Sequence, residues 1–572
     1  MTATFSDPGQ PDVAAALDML LTQAALGPVR RFLPARSLWR LTMALASQPA
    51  QVADRARKLA AELARVAYGS SGITPAKKDR RFTDPAWTSN PVLHRTVQAY
   101  LATAGAALGL VEDAAANPRL DWRDAERLRF AVSSLVDALA PSNSPLLSPE
   151  SWKAAIDTGG GSVLAGARNL VSDLASAPRI PSMVPPDAFR VGTDLAITPG
   201  SVVLRTPVLE LIQYRPQTGT VAALPLLIVP PTINKYYILD LSPGRSLVEY
   251  LVSQGQQVFV VSWRHPDARH ADWGFDVYVR AILEALDATG RICGADAVHL
   301  LSACSGGILS ALAAAVERTR EHSRLASLGL LVTMLDQSRH DAVGSLVDEA
   351  MADAAIAASA RKGYLDGREL AVIFAWLRPG DLIWNYWVNN YLLGREPARF
   401  DILFWNADTT RMTAGLHRDF VRAAVDNALV RPGALTVLDT EADLAQVGLD
   451  CYVVAGVADH ICPWESCYSS AQLFGGTTRF VLSTSGHIAA LVNPPGSPDK
   501  PNLKSSFQVS DDVTADAGEW RRVTPTQQGS WWPDYAAWLG ARSGDQVAAP
   551  AALGSERFRV IEPAPGCYVH AP

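Results

Sequence analysis

The sequence is poor in cysteine. Six residues, Cys293, Cys304, Cys451, Cys462, Cys467 and Cys567, are scattered through 572 positions. They show neither a compact framework nor metal-ligand spacing, which argues against a disulfide scaffold or a structural zinc site and for free thiols in a reducing cytoplasm. There is no excess of positive charge. Lys and Arg total 51 against 57 Asp and Glu, a net charge of -6, so nothing offers nucleic acid an electrostatic footprint. No uninterrupted apolar run is long enough for a membrane span. The stretch Met1 to Ala14 is polar, carries Asp7 and lacks a basic region, which argues against a signal peptide. Charged residues make up 19% and hydrophobic residues 48%. That balance excludes a disordered chain, and the length permits two or more cores.

The chain divides by pattern. Residues 1–190 read as a mainly helical N-terminal domain, with helical spacing over Val13 to Ala25, Val52 to Tyr68, Leu93 to Leu110, Trp122 to Leu139 and Gly161 to Leu174. From about residue 191 the pattern changes. Val203-Leu204 and Leu209 to Tyr214 read as hairpin strands. Apolar runs follow at Leu224 to Val229, Val258 to Val261, Val298 to Leu301 and Leu328 to Leu335, with helical segments between them. Such alternation predicts an α/β fold with a parallel sheet buried on both faces. Two more strands are expected at Cys451 to Ala455 and Phe480 to Leu482. Between the two groups, residues 337–430 are helical and aromatic-rich (Trp376, Trp384, Trp387, Tyr391, Phe404, Trp405) and read as a cap or lid inserted into a 191–572 catalytic domain. Past residue 497 the chain is loop-rich, with Trp531, Trp532, Tyr535 and Trp538 near a helix start at Pro533 and a loosely ending tail from Ala548.

The chemistry centres on Val298-His299-Leu300-Leu301-Ser302-Ala303-Cys304-Ser305-Gly306-Gly307. A strand-length run stops at small residues around Cys304, and helix formers follow. That is the context of a nucleophile elbow, with cysteine in place of the usual serine and Ser302 in place of the first glycine. A free thiol has a pKa of about 8.5, so Cys304 needs a base to become a thiolate. In α/β-hydrolases the acid and histidine follow the nucleophile, each on a loop after a later strand. Cys451 to Ala455 leads into Asp459-His460, and Phe480 to Leu482 leads into Gly486-His487. Asp459 and His487 are therefore the expected partners, with His460 a neighbouring support. An oxyanion requires donors. The backbone N–H of Ser305 is one. The other is expected from Pro230-Pro231-Thr232-Ile233-Asn234-Lys235, at Ile233 or Asn234.

From about Arg81 onward the sequence resembles the polyhydroxyalkanoate (polyester) synthases. The resemblance rests on Pro230 to Leu241 (PPTINKYYILDL), Ser262 to Asp267 (SWRHPD), Phe400 to Arg411 (FDILFWNADTTR), Asp459 to Trp464 (DHICPW), and Gly486-His487-Ile488 leading to Asn493-Pro494-Pro495. Leu553-Gly554-Ser555 and the ending Ala564 to His570 resemble the single-chain type that acts on medium-length chains. Two positions depart from the family's pattern: Ser302 where glycine is usual, asking for a slightly different turn, and His265 where asparagine is usual. The resemblance implies an α/β-hydrolase fold and a Cys304, Asp459, His487 triad. It also implies an acyltransferase that polymerises 3-hydroxyacyl-CoA thioesters with release of CoA, without metal or redox cofactor. The implied setting is a cytoplasmic enzyme associated with its polyester granules and active as a homodimer. Candidates for granule contact are the N-terminal helices and the Trp531 to Trp538 segment. Two other readings stand beside it: a cysteine-dependent thioesterase or depolymerase of the same fold, and a non-catalytic granule-associated protein.

Overall fold

The computed structural model describes residues 35–117, 120, 122–320, 323–337, 349–459, 461–497 and 499–571. The helix expected over Val13 to Ala25 lies outside them. The chain forms two compact units, one of residues 1–185 with 368–399, the other of 186–367 with 400–572. The stretch expected as a single cap, 337–430, is thus divided between them.

The first unit is helical: α1 Ala35–Ala46, α2 Pro49–Tyr68, α3 Pro91–Ala115, α4 Trp122–Ala138, α5 Pro149–Asp157 and α6 Gly161–Ala175. Caps explain several boundaries. Asn90 accepts from the N–H groups of Val92 and Leu93 at the start of α3, and Ser148 accepts from Ser151 at the start of α5, satisfying donors that a first turn leaves open. Gly69 ends α2 in the left-handed conformation. Sequence spacing did not indicate α5, which is only nine residues long. Val97 packs with Phe82 and Trp87 in one small core, while Ala44, Val111, Ala114 and Leu128 form another. Small residues bring α6 against residues 390–394: a Cβ added at Gly166 would lie 1.9 Å from the Tyr391 carbonyl oxygen. Asn169 donates to the Asn390 carbonyl at 3.0 Å. Trp376, Trp384, Trp387 and Tyr391 then stack edge-to-face in series.

The second unit is an α/β-hydrolase fold around an eleven-stranded sheet. Its strands, numbered along the chain, are β1 Gly200–Arg205, β2 Leu209–Tyr214, β3 Leu226–Val229, β4 Val258–Trp263, β5 Val298–Ala303, β6 Leu325–Leu331, β7 Cys451–Gly456, β8 Thr478–Ser483, β9 Ser506–Ser510, β10 Thr526–Gln528 and β11 Glu562–Pro563. The spatial order is β10-β9-β8-β7-β6-β5-β3-β4-β2-β1-β11. The six strands β3 to β8 are parallel to their neighbours within that group. They are buried along nearly their whole length, which is why they read as continuous apolar runs. Antiparallel strands extend both edges.

Two expectations about the C-terminal part need correction. The tail is tied down. β11 pairs with β1, and the fully buried Glu210 carboxylate accepts from the N–H groups of Cys567 and Tyr568. The Trp531 to Trp538 segment is not a surface. Trp531, Trp532 and Tyr535 are fully buried; Trp531, Tyr535 and Trp538 pack around Tyr452 of β7, and Trp532 meets Tyr250. Trp531, Tyr535 and Trp538 recur at the spacing of one helical face, so the helix Trp532–Gly540 turns that face to the core.

Candidate active site

β3 lies at the centre of the sheet, with β4 on one side and β5 on the other. The chain reverses its direction of travel across the sheet there, so the loops leaving the C-terminal ends of β3 and β5 diverge around a crevice. Cys304 stands in that crevice. It links β5 to the helix Ser305–Glu317 with φ 51° and ψ −123°, a strained conformation for a residue with a side chain and the mark of a nucleophile elbow. Its N–H donates to the Leu331 carbonyl of β6 at 2.9 Å.

Two glycines make the elbow possible. A Cβ on Gly306 would lie 2.4 Å from the Pro230 carbonyl oxygen and 2.7 Å from that of Val229, and one on Gly307 would lie 2.1 Å from Thr333 Oγ1. Gly306→Ala forces backbone apart, so a loss of about 1–3 kcal/mol is expected in the denaturant midpoint, together with a large fall in turnover. Ser302 does not ask for a different turn. It belongs to β5, and its buried hydroxyl donates to the Gly329 carbonyl of β6 at 3.1 Å.

The loops after β7 and β8 supply the other two groups. Gly456 lets them meet, since a Cβ there would lie 2.5 Å from the Ser485 carbonyl oxygen. Ala458 N–H donates to that same carbonyl at 3.0 Å. Gly486 then caps a short helix that opens with His487. His487 Nδ1 is 2.7 Å from Asp459 Oδ2. The remaining oxygen, Asp459 Oδ1, accepts from the N–H groups of Ile461 and Cys462 at 2.8 and 2.9 Å. Both side chains are buried. With Nδ1 engaged, the other ring nitrogen is left for Cys304, whose sulfur and the ring each shift the other's pKa.

The electrostatics follow from these neighbours. Burial alone would depress the His487 pKa, but the Asp459 carboxylate and the Cys304 sulfur outweigh it and hold the ring at about 10. The Cys304 thiol lies well below its ordinary range. A hydrogen bond from Cys462 is the largest cause; burial opposes it, and His487 and the Ser305 N–H add to the lowering. Both shifts favour a thiolate facing an imidazolium. Cys462 was not singled out by the sequence, although it stands three residues after Asp459.

Thr232 is a second residue that the sequence left unassigned. Its N–H donates to Ser305 Oγ at 2.9 Å, fastening the loop after β3 to the elbow. Further along that loop, Asn234 forms a β-bridge with Thr409. The Trp405 indole donates to the Lys235 carbonyl at 2.7 Å, and Lys235 pairs with Asp408 at 2.7 Å. The motif Phe400 to Arg411 thus packs on the same loop. His265, on the loop after β4, places Nδ1 3.0 Å from Thr410 Oγ1. Burial, followed by Arg411 and Lys235, lowers its pKa to about 4, so it is a neutral ring beside Asn234, Lys235 and Tyr568. His460 lies outside the described residues.

A strained cysteine elbow, with a buried histidine and aspartate on the next strand loops, defines an α/β-hydrolase-fold protein equipped for acyl transfer through sulfur. Residues 225–494 match the α/β hydrolase fold family, and residues 78–251 match the N-terminal family of poly-beta-hydroxybutyrate polymerase (PhaC). The chain is 44% identical over 523 residues to poly(3-hydroxyalkanoate) polymerase 1 of Ectopseudomonas oleovorans, covering 91% of this chain and 92% of that one. It is 44% identical to polymerase 2 of the same organism, covering 91% of each. It is 39% identical to the PhaC subunit of the Cupriavidus necator polymerase, covering 91% of this chain and 89% of that one. The chain belongs to the poly(3-hydroxyalkanoate) polymerase family.

Proposed function

We propose that this chain, a poly(3-hydroxyalkanoate) polymerase and hence an acyltransferase, builds polyester from 3-hydroxyacyl-CoA through an acyl-Cys304 intermediate. The observation that carries this reading is the Cys304 elbow with the buried His487–Asp459 contact on the next strand loops, inside a family whose named members are polymerases. The Cys304 thiolate attacks the thioester carbonyl. The N–H groups of Ser305 and Ile233 receive the oxyanion; Ile233 is favoured over its neighbours because the Thr232 N–H is already committed to Ser305 Oγ and Asn234 is bridged to Thr409. His487 gives its proton to the departing CoA sulfur. Acylation removes the negative sulfur that helped raise the ring's pKa, so His487 is left a neutral base. It takes the proton of a 3-hydroxyl, and that oxygen attacks the acyl-cysteine. The new ester forms, and thiolate and imidazolium return. Each step uses this chain's own side chains and the substrate's atoms, with no metal or redox group.

The competing thioesterase reading makes free hydroxy acid. Enzyme given a 3-hydroxyacyl-CoA should release CoA and yield polymer as the main product. Free 3-hydroxy acid as the main product would reject the polymerase reading. We place the preferred substrate among medium-length acyl chains, and the proposed assembly is a homodimer, testable by light scattering with and without substrate.

Granule association is proposed through the first unit. Among the described residues no helix is long and apolar enough to cross a membrane. One face of α6, with Gly166 and Asn169, is taken up by residues 390–394, while Val163, Leu164, Val171 and Leu174 stay exposed. On α5, Trp152 and Ile156 are exposed as well. Such an apolar patch is suited to a hydrophobic surface. Serine at Trp152, Ile156, Leu164 and Val171 together should lower the fraction that sediments with polyester granules several-fold while CoA release in solution persists. Unchanged sedimentation would place the contact elsewhere.

A further inference from the structure

Ser305 enters the reaction scheme through its backbone N–H, yet its side chain is engaged too. The residue opens the helix Ser305–Glu317 directly after the elbow and is buried. Its Oγ accepts from the N–H of Thr232 at 2.9 Å, and the two hydroxyl oxygens are 3.1 Å apart. Thr232 is buried as well. Without the serine oxygen its N–H would be left in the interior lacking this partner, which is costly.

The link falls at the middle of the loop after β3. At one end the Pro230 carbonyl accepts from the Trp263 indole at 3.1 Å. At the other, Trp405 and Asp408 hold Lys235, and Asn234 is bridged to Thr409. Pro231 has no N–H to offer. Thr232 is thus the residue that ties the stretch before Ile233 to the elbow.

We propose that the Ser305 hydroxyl is a positioning group for acyl transfer: by holding the Thr232 N–H it fixes the Ile233 N–H at its working distance from the Ser305 N–H. One residue then donates half of the oxyanion hole and sets the place of the other half. This rests on Cys304 being the nucleophile and on those two N–H groups being the oxyanion donors.

The Ile233 N–H is one planar peptide unit from the N–H that Ser305 holds, so a fixed position for one constrains the other. When the Cys304 sulfur attacks, the thioester oxygen takes up negative charge, and donors already in place need no reorganisation as it develops. With the hydroxyl gone, the Thr232 N–H must turn toward another partner and carries Ile233 with it. The nucleophile and its base are spared, because His487 and Asp459 stand on the loops after β8 and β7. Loss of the hydroxyl should therefore slow the step that forms an oxyanion and leave the sulfur itself as reactive as before.

Two reactions of the same sulfur separate this role from packing. Alkylation by iodoacetamide forms a C–S bond as iodide leaves, and no oxyanion develops; its rate is followed as the modified Cys304 peptide by mass spectrometry. Acylation by an acyl-CoA lacking the 3-hydroxyl passes through the oxyanion and is read as the first equivalent of CoA released. Both are measured at one pH on wild type, Ser305→Ala, Ser305→Thr and Ser305→Val, with folding checked by circular dichroism. Ser305→Ala should slow acylation about 10- to 100-fold with alkylation unchanged. Threonine keeps the hydroxyl and valine matches its shape without it, so acylation should be faster in the threonine variant than in the valine variant by a similar factor. The proposal is overturned if acylation is unchanged in Ser305→Ala, if it falls in step with alkylation, or if the threonine and valine variants acylate equally. Should the alanine variant not fold, the threonine–valine pair carries the comparison. Failure of the nucleophile reading looks different: Cys304→Ala would then still release CoA.

Discussion

Cys304→Ala should lower CoA release from 3-hydroxyacyl-CoA by a factor of at least ~10^3 and abolish polymer formation, with the fold intact. The size follows from what the sulfur does. Without it no acyl-enzyme forms, and the oxyanion donors and His487 can only assist direct attack by water or a hydroxyl. Alanine fits the elbow, since the strain at φ 51° lies in the backbone and the methyl group needs less room than the thiol. Cys304→Ser is the more telling variant. It keeps the geometry and a nucleophilic atom, but an alkoxide is far harder to form than a thiolate, and the ion pair with His487 disappears. Activity near that of the wild type in the alanine variant would remove Cys304 from the chemistry.

Asp459→Asn should cost ~10^3- to 10^4-fold in turnover while leaving binding and folding nearly unchanged. An asparagine can still accept from the Ile461 and Cys462 N–H groups through its carbonyl oxygen. Its amide then presents N–H, in place of a carboxylate oxygen, to His487 Nδ1. The ring must turn that nitrogen into an acceptor and carry its proton on the side facing Cys304, where it cannot take the thiol's proton. The imidazolium also loses its counter-charge. The pH dependence gives the sign. The wild-type ring holds its proton up to about 10, so on the alkaline side acylation should fail only above that value. With Asp459 neutral the ring's pKa falls toward the position that burial dictates, and the alkaline limb of acylation should move down with it. A profile whose alkaline limb stays in place would show that Asp459 does not govern the ring.

Much of this was legible in the sequence, for identifiable reasons. β3 to β8 are buried on both faces, so each is an apolar run, and the loops that end β5, β7 and β8 place Cys304, Asp459 and His487 in the order that the fold demands. The edges were harder. β9 is Ser506-Phe507-Gln508-Val509-Ser510, polar at alternate positions and half exposed, and β11 is two residues held by pairing with β1. Neither has enough local hydrophobicity to stand out. Which unit residues 368–399 join was also hidden. Trp376, Trp384, Trp387 and Tyr391 look the same whether they pack on the sheet or, as found, among the N-terminal helices' own unit. The direction of a side chain within a loop is a tertiary property too. Cys462 follows Asp459 by three residues, yet only the fold brings its sulfur within 4.8 Å of the His487 ring and the Asp459 carboxylate.

The most direct measurement is to trap the intermediate. An acyl-CoA lacking the 3-hydroxyl can load the enzyme but cannot accept the next acyl group, so the cycle should stall after one turn. The account predicts one equivalent of CoA released per active site and the acyl mass on the peptide that contains Cys304. Acyl mass on another residue, or steady CoA release with no acylated Cys304, would contradict it.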